Sequence, residues 1–153
     1  DQISGVFRDA TGFDWTWQGF EQLANDDLGY RTLLGGVDGY MVSEAQMDPG
    51  VTWALALQRI AEAGADTVVA RELEEGGERR LLGEVTLDHR PGDKKFTAAL
   101  EQTLWRLHAV RAGPKRIGRL EAFWSEVEAQ EGAAEAWRRV LSALLRDPEM
   151  VGY

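Results

Sequence analysis

Cysteine is absent from this 153-residue chain, and histidine is nearly so, with His89 and His108 alone. Without thiols there is no disulfide framework, no thiolate zinc site, no cysteine nucleophile and no covalently attached c-type haem. Two histidines leave little for a histidine-rich metal centre, so no metal and no cofactor is expected. Neither histidine stands in a His-Glu-x-x-His context, and no Gly-x-Ser-x-Gly elbow is present. No apolar run approaches the ~18 residues of a membrane span. Positive charge is also scarce: 17 Lys and Arg face 26 Asp and Glu, a net of −9. Such a chain repels polyanions, which argues against nonspecific binding to nucleic acid or anionic lipid.

What remains is an ordinary globular composition, 44% apolar and 28% charged, too hydrophobic for disorder. The length suits one domain over residues 1–153, in two unequal parts. Residues 1–49 read as an irregular, aromatic and acidic segment, and residues 50–153 as a helical bundle. The first fifty residues hold nine acids against Arg8 and Arg31, a net of −7, whereas the rest is close to balanced. Glycines at 5, 12, 19, 29, 35, 36 and 39 divide this segment, which predicts only one- or two-turn helices there. Its aromatics, Phe7, Phe13, Trp15, Trp17, Phe20, Tyr30 and Tyr40, are the natural anchors for wrapping it on a bundle.

The remainder carries helical periodicity with clear stops. Asp48-Pro49 supplies an N-cap and a proline at the first helical position. Trp53, Leu57, Ile60, Gly64 and Val68 then repeat at three to four residues until Gly76-Gly77. Small residues (Ala61, Gly64 and Ala65 among them) make this helix narrow enough for close approach. Residues 81–88 alternate only loosely and are expected to be a loop. A second stripe, Phe96, Leu100, Leu104 and Leu107, runs on from Asp93 and should end at Ala112-Gly113-Pro114. A third follows from Pro114 with Ile117, Leu120, Trp124 and Val127, stopping near Gly132. The fourth carries Trp137, Val140, Leu141, Leu144 and Leu145 and stops before Pro148. Short connections make these helices neighbours. The expected fold is all-α, a bundle of about four helices with the N-terminal segment wrapped on it. Its shared core should comprise Trp53, Leu57, Ile60, Leu100, Leu104, Leu120, Trp124, Trp137, Val140 and Leu144.

Candidate chemistry is sparse. His89 sits in Leu-Asp-His-Arg-Pro-Gly beside Asp88, and His108 lies one residue past the stripe position Leu107. Glu72, Glu74 and Glu75 close one helix; a solvated helix end is the plain reading and a Ca²⁺ site the sharper one, though no Asp-x-Asp-x-Asp-Gly loop supports it. Gly35-Gly36-Val37-Asp38-Gly39 lacks the features of a phosphate loop and reads as a tight turn. Arg106, Arg111, Lys115, Arg116 and Arg119 surround the turn at Gly113, where cations near a helix C-terminus are a routine stability device. Trp15 and Trp17, in the acidic Phe-Asp-Trp-Thr-Trp stretch, either stack on a ligand or pin the wrap. The binding candidates are therefore Asp14, Trp15, Trp17, Asp38 and His108, and no residue is singled out as catalytic.

Three stretches carry a resemblance. Tyr30-Arg31-Thr32-Leu33-Leu34-Gly35-Gly36-Val37-Asp38-Gly39 resembles a Gly-Gly-Ile/Val-Asp segment of large exported proteins of planctomycetes and myxobacteria. Leu107-His108 is similar to a Leu-His in a helix of those proteins, and Ala136-Trp137 followed by Leu144-Leu145-Arg146-Asp147-Pro148-Glu149 is similar to their closing helix. Many of them carry c-type cytochrome domains, with this helical part at the C-terminal end. The resemblance implies a periplasmic or cell-surface location and association with electron-transfer proteins. It implies no catalytic residue, and any haem would belong to a partner. The expected function is that of a non-catalytic exported interaction subunit with a protein partner, and the resemblance implies a cytochrome-containing assembly as that partner. The alternative is a ligand- or carbohydrate-binding domain, or an enzyme, using the acidic aromatic N-terminal segment.

Overall fold

The computed structural model describes residues 2–14, 16–17, 20–21 and 50–147. Among them are five α-helices: α1 (Gln2–Thr11), α2 (Val51–Val69), α3 (Lys94–His108), α4 (Pro114–Glu131) and α5 (Ala133–Leu145). A single π turn, Ala70–Glu74, extends α2. A two-residue antiparallel ladder sets β1 (Thr16–Trp17) against β2 (Phe20–Glu21), with Trp17 opposite Phe20. The architecture is the all-α bundle that the periodicity predicts, with α2 to α5 as its body.

The punctuation explains most boundaries. Pro114 opens α4 at a position where its missing N–H costs nothing, and Gly113 precedes it in extended conformation. Gly132, at φ 89°, separates α4 from α5. The end of α3 comes earlier than Ala112-Gly113 suggests. Ala109 adopts the left-handed conformation (φ 53°, ψ 24°) and closes the helix with its N–H on the Trp105 carbonyl. An alanine there is unusual, since this conformation favours glycine. A tertiary tie explains the stop, because His108, the last helical residue, is bound by both α4 and α5.

α5 is the hub. It packs most extensively against α2 and α4, so the last described helix joins the first part of the bundle to its neighbour in sequence. Trp137, Val140, Leu141 and Leu145, all fully buried, form its inner stripe. At the centre Phe96 of α3, Trp124 of α4 and Trp137 of α5 meet. The Phe96 centroid is 4.9 Å from each indole, and the two indoles are 6.2 Å apart. Such pairs are worth about 0.5–1.5 kcal/mol each beyond their buried area. The indole N–H groups of both tryptophans are buried with no hydrogen-bond partner among the described residues.

Seven of the ten expected core residues lie in one continuous cluster, with Leu120 packed at its edge. Leu57 is buried but outside that cluster, and Trp53 is only half-buried. Both lie in the first two turns of α2, on the N-terminal side of Ile60, where this helix joins the common cluster. Periodicity identified the face but not how far its neighbours extend along it.

The N-terminal segment departs from expectation. α1 is ten residues long rather than one or two turns. Gly5 was the reason to expect a break, but a glycine inside a helix costs only about 1 kcal/mol and does not stop one. Phe7 is buried at 2% exposure and belongs to the common core. It reaches α2 at Gly64, where a Cβ would stand 2.7 Å from the Phe7 ring, 3.3 Å from Thr11 Cγ2 and 3.5 Å from Leu145 Cδ1. The narrowness of α2 is thus used at one residue, over which α1 and α5 both pack.

Candidate functional site

Two polar nodes lie inside the bundle. The first is built on the π turn. Stripe positions Ile60, Gly64 and Val68 continue to Glu72, whose side chain is fully buried. Its carboxylate accepts the backbone N–H groups of Arg80 (2.9 Å), Leu81 (3.1 Å to each oxygen) and Leu82 (2.9 Å), and one guanidinium bond from Arg71 (2.9 Å). Successive N–H groups that converge in this way form an anion-binding nest, and here the chain's own carboxylate fills it.

The nest solves a packing problem. Residues 75–93 run without regular secondary structure, yet Leu81, Leu82 and Val85 are fully buried. Their backbone groups need partners away from water. Glu72 serves the N–H groups of Leu81 and Leu82, and that of Val85 donates to the Leu82 carbonyl (3.3 Å). The Thr103 hydroxyl is shared between the Ala99 carbonyl of its own helix (2.8 Å) and the Leu81 carbonyl (3.2 Å), while Arg79 donates to the carbonyls of Gly83 and Val85 and Arg106 to that of Arg80.

Arg71 ties the same node to the N-terminal segment. Its planar guanidinium donates to the carbonyl of Thr11 at the end of α1 (2.7 Å), to that of Glu78 (3.0 Å) and to Glu72. Aromatics were the expected anchors of the wrap. Phe7 is one, and this arginine is the anchor that was not anticipated. The solvated helix end expected for Glu72, Glu74 and Glu75 is corrected for Glu72 alone. Glu74 is exposed and turns outward to Arg138 (2.9 Å), so the carboxylates diverge rather than converge on a cation.

The second node contains His108, which is 2% exposed. Its Nδ1 lies 3.0 Å from Arg116 Nη2 and its Nε2 lies 2.9 Å from the Leu144 carbonyl. An arginine can only donate, so Nδ1 accepts and Nε2 carries the hydrogen. Arg116 also binds Asp147 at 3.1 Å. The imidazole therefore clamps the end of α3 to the start of α4 and the last turn of α5. Both ring nitrogens are engaged in holding helices together. His89 has a local role: its Nδ1 accepts from the Thr86 N–H (3.0 Å) and lies 2.8 Å from the Thr86 hydroxyl.

Of the remaining sequence candidates, Asp14 alone has a described side chain. Asp14 is exposed and pairs with Arg8 at 2.6 Å, a surface ion pair worth about 0–1 kcal/mol. Trp17 is placed by its backbone in β1, while Trp15 and Asp38 lie outside the described residues. What sequence reasoning missed is the buried role of Glu72, for which its place on the Ile60–Gly64–Val68 stripe was the available signal.

No helix among the described residues is long and apolar enough to cross a membrane. No known protein family matches the chain, nor does any curated protein or solved structure show significant similarity to it.

Proposed function

We propose that this chain is a non-catalytic helical docking subunit of a larger protein assembly. The observation that carries it is the set of large apolar side chains displayed on helices whose inner faces are already filled. Trp105 is 56% exposed beside the fully buried Leu104, and Val51 and Leu55, one turn apart on α2, are 79% and 58% exposed. Solitary apolar residues on a surface are common, but a half-exposed tryptophan and an aliphatic pair on one helix face suit burial by a partner. The internal nodes support the same reading, since Glu72 and His108 work as cross-links between chain segments. The resemblance in three sequence stretches supplies the setting. On this reading the subunit is exported and docks on an electron-transfer assembly whose haems belong to the partner.

Purification of the untagged native complex, followed by mass spectrometry, tests this. A stable complex with a defined partner is expected, and fractionation should find the chain outside the cytoplasm. A monomer with no stable partner at working concentration would overturn it.

A further inference from the structure

The connection between α3 and α4 is opposite in sign to the rest of the molecule. Residues 102–120 hold five bases and no acid; outside them twelve bases face 26 acids, a net of −14. Two of the five are committed internally, Arg106 to the Arg80 carbonyl and Arg116 to Asp147 and His108. Arg111, Lys115 and Arg119 are exposed and make no ion pair among the described residues.

Their position is electrostatically unfavourable. Lys115 and Arg116 occupy the first turn of α4, Arg119 the second, and no acid stands in that first turn. The helix N-terminus already carries positive partial charge, so these cations add to it rather than offset it. The sequence-based expectation of cations at a helix C-terminus holds for Arg106 in α3 but not for this group. Apolar surface continues the charged one. Lys115, Arg119 and Phe123 follow at intervals of four along one exposed stripe of α4, with Phe123 39% exposed, and Val110 in the preceding connection is 37% exposed.

We infer that this basic corner binds an acidic protein segment that also carries an apolar or aromatic side chain: its carboxylates meet Arg111, Lys115 and Arg119, and the apolar group meets Phe123. This inference rests on the docking reading and names the chemistry of the partner. An extended polyanion, such as nucleic acid or an anionic bilayer, would also meet the repulsion of the acidic remainder. A short segment confined to the corner stays within about one Debye length, ~8–10 Å, of the local positive charge.

The test uses the full chain and a fluorescein-labelled oligo-glutamate peptide carrying one phenylalanine, read by fluorescence anisotropy. Saturable binding that weakens as salt rises is expected. The combined variant Arg111→Ser, Lys115→Ser and Arg119→Ser should bind about tenfold or more weakly while its thermal unfolding stays that of the parent. Phe123→Ser should weaken binding even at high salt, where the charge contribution is screened. No peptide binding, or equal binding by parent and combined variant, would overturn the inference. So would equal or tighter binding of a single-stranded oligonucleotide or of phosphatidylserine vesicles. Failure of the docking reading is distinguishable. A native complex that survives the combined variant sinks only the corner, whereas peptide binding lost in that variant supports the corner even if no native complex is recovered.

Discussion

Replacing Glu72 by glutamine keeps the shape of the side chain and removes one acceptor oxygen together with the charge. In the better amide orientation the oxygen takes the Oε1 position and keeps Arg71, Arg80 and part of Leu81. The NH₂ then faces the N–H of Leu82, donor against donor, in a buried site. The orphaned N–H costs about 1–3 kcal/mol. The surviving bonds fall from charge-assisted to neutral strength, about half as strong, for roughly 1 kcal/mol each. Overlap among these terms leaves an expected loss of about 3–5 kcal/mol, against a total stability of ~5–15 kcal/mol for a domain. With a urea slope of about 2 kcal/mol per molar, the midpoint should fall by roughly 2 M. Hydrogen exchange gives the local readout: the amides of Arg80, Leu81 and Leu82 should lose protection before the α5 core does. Glu74→Gln is the control, two residues away in an exposed ion pair with Arg138, and should cost about 1 kcal/mol or less. A Glu72→Gln variant within about 1 kcal/mol of the parent, with unchanged protection at residues 80–82, would refute the nest as the support of the buried loop.

Four further outcomes follow from the packing. Gly64→Ala gains about 1 kcal/mol of helix propensity but sets its Cβ against the buried Phe7 ring, so a net loss of about 1–2 kcal/mol is expected in chemical denaturation. A stabilised variant would show that α1 does not pack there. Trp137→Ala, which removes a fully buried indole from the centre of the aromatic cluster, should cost about 3–5 kcal/mol; an unchanged urea midpoint would mean the assigned face of α5 is wrong. Ala109→Gly relieves a left-handed alanine on an exposed corner and should stabilise by about 0.5–1 kcal/mol, read as a rise in melting temperature. Asp14→Asn breaks only the exposed pair with Arg8 and should stay within about 0.5 kcal/mol of the parent, so a large loss would place that residue in the structural core.

The apolar stripes and their punctuation by proline and glycine were sufficient to place α2 to α5 from the sequence, though not the end of α3 at Ala109, because a helix face is a local property. The burial of Trp124 and Trp137 followed from the same stripes. Three features needed the tertiary structure. Gly5 looked like a break, yet α1 runs through it; this helix buries Phe7 on α2, and packing outweighs a single unfavourable residue. The stretch 81–88 was legible as a loop but not as part of the core, because burying irregular backbone depends on partners outside it: Glu72 for the N–H groups of Leu81 and Leu82, and Thr103 for the Leu81 carbonyl. His108 looked like a candidate ligand residue and is a clamp, since its partners Arg116 and Leu144 are brought to it by the meeting of three helices. Local pattern determines which residues turn inward. Which buried polar groups find one another depends on how the helices are arranged, and one-dimensional periodicity does not encode that arrangement.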